Sequence, residues 1–193
     1  MNDKKHLIIG ITGASGAVYA IRLLDVLKTL PHIETHLIIS QAAKQTIPAE
    51  TDYSLQQVRE LADYNYDVRD IGAAISSGSF RISGMIVVPC SIKTLSGIAN
   101  CYAEDLITRA ADVCLKEDKP LILCVRETPL HLGHLRLMTQ AAEIGARIVP
   151  LMPAFYHRPQ TVDDIINQGV NRLVDQFDIA LEQDLFERWQ GNR

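Results

Sequence analysis

The sequence predicts an α/β protein built on one doubly wound parallel sheet, and three observations point there. Apolar stretches of strand length alternate with segments whose apolar residues recur at helical spacing, from Leu7 to Phe177. The segment Gly84-Met-Ile-Val-Val-Pro-Cys90 is apolar without alternation, as a strand covered on both faces requires. The first strand runs into a glycine-rich turn, Gly10-Ile-Thr-Gly-Ala-Ser-Gly16, that opens a helix.

In chain order, residues 7–12 read as the first strand. Residues 16–30 follow as a helix with Val18, Ile21, Leu24 and Leu27 on its apolar face, and Pro31 ends it. Residues 35–40 are the second strand. Residues 54–62 form a helix capped by Ser54, with Leu55, Val58, Leu61 and Ala62 on one face. Residues 74–83, containing Ser76-Ser77-Gly78-Ser79, read as a mobile loop. Residues 84–90 are the buried strand, followed by helices over 94–99 and 105–116. A strand at 120–125, a helix at 130–144, a strand at 147–152 and a helix at 162–177 capped by Thr161 complete the pattern. No linker, repeat or low-complexity tract interrupts it, so residues 1–193 are expected to form a single domain.

Composition narrows the function classes. Hydrophobic residues make up 47% and charged residues 22%, values of a globular chain rather than a disordered one. A net charge of −4, from 19 basic and 23 acidic residues, supplies no global field for nucleic acid or an anionic membrane. No apolar run is long enough to span a bilayer, and the stretch after His6 is too short for a signal-peptide core, so a cytoplasmic protein is expected. The cysteines at 90, 101, 114 and 124 include no CxxC pair and no zinc spacing. They read as small buried thiols, with Cys90 and Cys124 closing strand patterns and Cys114 inside a helical one, while Cys101 falls in neither.

Ligands of such sheets lie beyond the carboxyl ends of the strands, which selects five loops. In the first, residues 12–16, glycines let backbone N–H groups approach a ligand at a helix N-terminus, and Ser15 adds a hydroxyl. The spacing G-x-x-G-x-x-G is neither the dinucleotide fingerprint nor a Walker loop, and the turn is either a ligand cradle or a packing device. The second strand ends in Ser40, where a dinucleotide enzyme places an acid on the ribose; serine suits a phosphate or the ribityl chain of a flavin. In the third loop Ser91, Lys93, Thr94 and Ser96 surround a helix start. This is an anion-binding candidate, or simply a cap with Lys93 solvated. Arg126 and Glu127 in the fourth loop are an ion pair or a functional dyad. The fifth, Met152-Pro-Ala-Phe-Tyr-His-Arg-Pro159, reads as a rigid, partly apolar wall. His131-x-x-His134 lacks a completing ligand and reads as structural. Asp163-Asp164 is followed by two isoleucines rather than forming D-D-x-x-D, and suits its own helix N-terminus. Spacing alone promotes neither Arg109 nor Arg172.

Taken together, Thr-Gly-Ala-Ser-Gly-Ala, Pro-Cys-Ser-Ile-Lys-Thr-Leu, Arg-Ala-Ala-Asp-Val-Cys-Leu-Lys-Glu, Val-Arg-Glu-Thr-Pro-Leu and Pro-Ala-Phe-Tyr-His-Arg-Pro-Gln resemble the UbiX-type flavin prenyltransferases, in the family order from about residue 7 to Trp189. The resemblance implies a Rossmann-like flavoprotein fold and a metal-independent prenyltransferase. Such an enzyme joins the dimethylallyl group of dimethylallyl monophosphate to N5 and C6 of reduced FMN, making prenylated FMN for a UbiD-type decarboxylase of ubiquinone synthesis or aromatic-acid breakdown. It implies flavin contacts at Gly13, Ala14, Ser15, Ser40, Ser91, Ile92, Lys93, Thr94 and Arg126, with Lys93 contacting through its backbone. Lys116, Arg126, Glu127, Tyr156 and Arg172 match phosphate-holding positions. Ser15, Glu50, Arg109, Lys116, Glu127 and Trp189 match catalytic ones. It further implies a homo-oligomer, a dodecamer, whose sites lie between subunits. The alternative is a flavin-binding accessory subunit of an aromatic-acid decarboxylase, or such a decarboxylase itself. A phosphopantothenoylcysteine-type decarboxylase is disfavoured, because Pro153-Ala-Phe-Tyr156 stands where that group has Pro-Ala-Met-Asn.

Overall fold

The computed structural model describes residues 4–191; residues 1–3 and 192–193 of the expected domain lie outside the described residues. The alternation read from the sequence closes into one six-stranded sheet. In chain order the elements are β1 (Lys5–Ile11), α1 (Ala17–Lys28), β2 (Ile33–Ile39), α2 (Ala43–Glu50), α3 (Leu55–Glu60), β3 (Tyr64–Tyr66), β4 (Gly84–Cys90), α4 (Ile92–Ala99), α5 (Leu106–Lys116), β5 (Leu121–Val125), α6 (Leu132–Glu143), β6 (Arg147–Ile148) and α7 (Val162–Asp175). Every strand pair is parallel, in the order β3-β2-β1-β4-β5-β6. Consecutive strands run outward to one side from β1 and then to the other side from β4, so the order reverses between these two neighbours. That reversal opens a crevice at their carboxyl ends.

Period-two alternation along the strands divides the core between the two faces. Leu7, Ile9 and Ile11 of β1 and Ile86 and Val88 of β4 pack with α1, α2, α3 and α7. Ile8, Met85 and Val87 pack with α4, α5, α6 and the segment from Val68 to Ile82.

Four features differ from the sequence expectation. Helix α2 was not predicted: its sequence, Ala-Lys-Gln-Thr-Ile-Pro-Ala-Glu, buries only Ala43 and Ile47 and carries an internal Pro48, so neither an apolar stripe nor a breaker-free run announces it. Strand β3, Tyr-Asn-Tyr, is a three-residue edge strand without a periodic signal. Strand β6 is two residues long rather than six: Val149 N still donates to Leu123 O, but Pro150 has no N–H with which to continue. The serine-rich segment expected to be a mobile loop holds a 3-10 turn at Ala74–Ser76, buries Ile75 fully and is tied by Arg109 Nε donating to Ser76 O at 3.1 Å. Cys90, Cys114 and Cys124 are buried, and burial pushes the first two thiols up to about 12; Cys101 is exposed.

Candidate functional site at the carboxyl edge of the sheet

The loops after β2, β1, β4 and β5 are laced edge to edge. Ser40 N donates to Ile11 O at 2.9 Å, and Arg126 N donates to Cys90 O at 3.0 Å. Between them Thr12 reaches across to Pro89 and Ser91. Gly13 is forced by close approach, because a Cβ there would lie 2.3 Å from the Cβ of Ala42 in the neighbouring loop. Gly16 adopts φ 111°, a left-handed conformation that favours glycine, and turns the chain into α1.

The N-terminus of α1 is not an open anion cradle. The Glu50 carboxylate at the end of α2 accepts from Gly16 N at 2.8 Å and Ala17 N at 3.4 Å, supplying the cap that no side chain of α1's own N-terminus provides. Ser15 and Glu50 are thereby drawn to the same turn. The unpredicted helix α2 is what carries Glu50 there, so this neighbourhood was invisible to spacing.

Ser40 accepts from Ala43 N at 3.1 Å and starts α2. Ser91 is the N-cap of α4, accepting from Thr94 N, with its hydroxyl 3.2 Å from that of Thr94. Ile92 is half-buried against the core. Lys93 is exposed and pairs with Glu104 at 3.1 Å, so the capping alternative describes the local geometry and the ammonium faces outward from the helix start. Arg126 and Glu127 are exposed, and Glu127 accepts from Thr128 N at 2.9 Å; no ion pair between the two occurs among the described residues. In the fifth loop, expected to be a rigid, partly apolar wall, Met152 and Phe155 are exposed and the ring contacts are made by Tyr156 and His157. Tyr156 meets the C-terminal tail edge-on, its ring centroid 5.9 Å from Trp189 and 6.4 Å from Phe186. Arg188 fastens that tail through Asp175 and Asp184. Asp164 accepts from Gln160 N and Thr161 N, and these donors hold its carboxyl below the usual range, as expected of a helix-capping acid. His131 likewise caps α6, accepting from Gly133 N at 3.0 Å. Among the described residues no cluster of three or more His, Cys, Asp or Glu is placed to hold a metal ion.

The chain does not bring Lys116 or Arg172 to this edge. Lys116 ends α5, where the chain turns back toward the start of β5, and pairs with Glu117 beside Gly78. Arg172 lies in the last turn of α7, paired with Asp175 at 2.9 Å, just before Phe177 O accepts from Lys5 at the start of β1. Both therefore sit toward the amino edge of the sheet, and on opposite faces of it. Arg109, near the start of α5, is bound to Asp112 and Ser76.

A doubly wound sheet in this strand order, with a glycine turn at the reversal and hydroxyl-bearing helix starts beside it, is the architecture of α/β nucleotide-binding proteins. The family model described as Flavoprotein matches residues 1–168. The curated Flavin prenyltransferase UbiX of Escherichia coli (strain K12) is 67% identical over 187 residues, 97% of this chain and 99% of that protein. A crystal structure of AnUbiX in complex with FMN and dimethylallyl pyrophosphate superposes with a TM-score of 0.94 at 47% identity, covering 98% of this chain and all of that one. A structure described as a dodecameric FMN-dependent UbiX-like decarboxylase from Escherichia coli O157:H7 has a TM-score of 0.93 at 50% identity, over 96% of this chain and 100% of that one. The chain belongs to the flavoprotein family and, within it, to the UbiX flavin prenyltransferases. No helix among the described residues is long and apolar enough to cross a membrane.

Proposed function

We propose that this chain joins the dimethylallyl group of dimethylallyl monophosphate to N5 and C6 of reduced FMN, releasing phosphate and prenylated FMN for a UbiD-type decarboxylase. One observation carries the reading: residues 13–15, Ser40, residues 91–94 and Arg126 converge at a single sheet edge, held by bonds between neighbouring loops. Their chemistry suits a flavin. Hydroxyls at Ser15, Ser91 and Thr94 match polar ring edges and the ribityl chain, and Arg126 supplies a cation for phosphate.

In the reaction the allylic C–O bond breaks with its electron pair leaving on phosphate, and flavin N5 forms the first new C–N bond. N5 gives up its proton; a proton added to the allyl double bond then makes a tertiary cation, C6 bonds to that carbon, and the hydrogen on C6 leaves as a proton to restore the aromatic ring. Lys116, Arg126 and Arg172 neutralise the charge growing on the leaving phosphate. Tyr156 and Trp189 face cationic character on the allyl group with their rings. Glu50 and Glu127 hold or move protons, and Ser15 stands near N5. Because the sheet separates Lys116 from Arg172 within one chain, we assign the complete site to a homo-oligomer in which neighbouring protomers contribute them. The dodecameric relative supports that assignment.

The test mixes the purified protein with reduced FMN and dimethylallyl monophosphate without air, and weighs the flavin. The relative's complex contains the pyrophosphate, so both donors are tried. A flavin heavier by the prenyl group is expected. An unchanged flavin bound to folded protein would leave a carrier and sink the transferase reading.

A further inference from the structure

Thr12 opens the first candidate loop but belongs to none of the flavin, phosphate or catalytic sets above, and its side chain bridges two of the loops that form the flavin edge. It is fully buried at 1% exposure. Its hydroxyl donates to Pro89 O at 2.7 Å and accepts from Ser91 N at 2.8 Å, using one group to reach both sides of Cys90. Its own N–H donates to Pro89 O at 3.3 Å.

This bridge stands where the sheet stops holding itself. The β1–β4 register runs from Leu7 opposite Gly84 only to Gly10 opposite Val87, and the β4–β5 register shifts between Val87 and Cys90. Past that point one long backbone bond, Thr12 N to Pro89 O, ties the first loop to the third, and the shorter bonds between them are those of the Thr12 hydroxyl. Ser91 is moreover the residue whose hydroxyl caps α4, so the bond from its N–H to Thr12 sets where that helix begins relative to residues 13–15. Between the loops after β1 and β4 the Thr12 hydroxyl makes the side-chain link, as the Glu50 carboxylate does between the segment after β2 and the glycine turn; the links through Ser40 N, Thr12 N and Arg126 N are backbone to backbone.

We propose that Thr12 is a positioning residue for flavin binding: it clamps the glycine turn to the start of α4 and presets the gap in which the flavin is held. This rests on the flavin reading above. The clamp touches no reacting atom and acts through Ser91 and the turn. Its loss leaves the N–H of half-buried Ser91 without its partner, a cost that the folded protein relieves by letting the two loops separate.

The test compares Thr12→Val, which keeps the shape and removes both hydroxyl bonds, with Thr12→Ser, which keeps them. FMN affinity is titrated well below each protein's melting temperature, and KM for FMN is separated from kcat. Thr12→Val is expected to weaken FMN binding and raise KM for FMN by about tenfold, with a smaller change in kcat, and Thr12→Ser to restore both. A merely structural residue would lower the melting temperature and leave the affinity of the folded protein unchanged. Folded Thr12→Val that binds FMN as tightly as the wild type overturns the proposal. If the wild type itself binds no FMN, the flavin reading fails instead. In that case, or if Thr12→Val does not fold, amide exchange of the ligand-free wild type decides whether the clamp exists. Slow exchange at Ser91 supports a preset clamp, and exchange as fast as an open loop overturns it.

Discussion

Acidification should unfold this protein partly through one histidine. His36 of β2 is buried, with Nε2 3.1 Å from His6 Nδ1 and Nδ1 3.0 Å from the Tyr66 hydroxyl. Tyr64 stacks on its ring and Phe80 meets it edge-on, while Glu34 and Asp63 are the nearest acids. Burial is the largest influence, with the charge of His6 acting in the same direction and the two acids opposing it; the imidazole is pushed down from 6.5 to about 4. An unfolded chain therefore takes up this proton before the folded one does. The stability tied to neutral His36 is complete above pH 6.5 and is lost as the pH falls toward 4. Working the linkage between pH 7.5 and pH 5 gives a loss of about 2 kcal/mol. For a chain of this length that corresponds to roughly 4–8 °C in melting temperature. The assay is thermal unfolding of the wild type and His36→Gln at both pH values and equal protein concentration. Each protein serves as its own reference, so any fixed cost of the substitution cancels. The wild type should lose about 2 kcal/mol more than the variant on acidification. Equal losses in the two proteins would refute the assignment to His36.

Three further outcomes follow from the site. Gly13→Ala places a Cβ 2.3 Å from that of Ala42, so the first two loops must separate; a loss of roughly 1–3 kcal/mol on thermal or urea unfolding is expected, with weakened FMN retention. Glu50→Gln removes the charge from the N-terminus of α1 while keeping an acceptor, and should cost only about 0.3–1 kcal/mol. A much larger fall in prenyl transfer would then mark Glu50 as a proton-moving group, and unchanged transfer would leave it a cap. Lys116→Ala and Arg172→Ala should each abolish transfer, but dissociating and reassembling them as a mixture should restore about a quarter of the sites if neighbouring protomers supply the two residues. No recovery in a properly reassembled mixture would place both residues in one protomer's contribution.

Much of the sheet was legible because its signals are local. Continuous apolar runs such as Gly84–Cys90 announce strands covered on both faces, and helical spacing with Ser54 or Thr161 at the start announces capped helices. The elements that escaped notice lack such signals. Helix α2 has an internal proline and little apolar surface, β3 is three residues of an edge, and β6 ends where Pro150 withdraws a donor. Of the candidate site, residues 13–15, Ser40, Ser91 and Arg126 could be located because loops at the carboxyl ends of parallel strands share one edge whatever their sequence. The family resemblance added Glu50, Lys116, Tyr156, Arg172 and Trp189.

By itself, then, the sequence determined the alternation of strands and helices, the glycine turn and the edge where a ligand belongs, since each depends on residues close together in the chain. Only the tertiary structure decided what fills the helix start beyond that turn. The Glu50 carboxylate occupies it, brought by a helix that no periodicity marks. Tertiary structure likewise brought Thr12 against Ser91, residues whose meeting depends on β1 lying beside β4 across the strand-order reversal. It also put the sheet between Lys116 and Arg172, a separation set by which face each helix covers, and that handedness of packing is a property of the assembled sheet rather than of either segment.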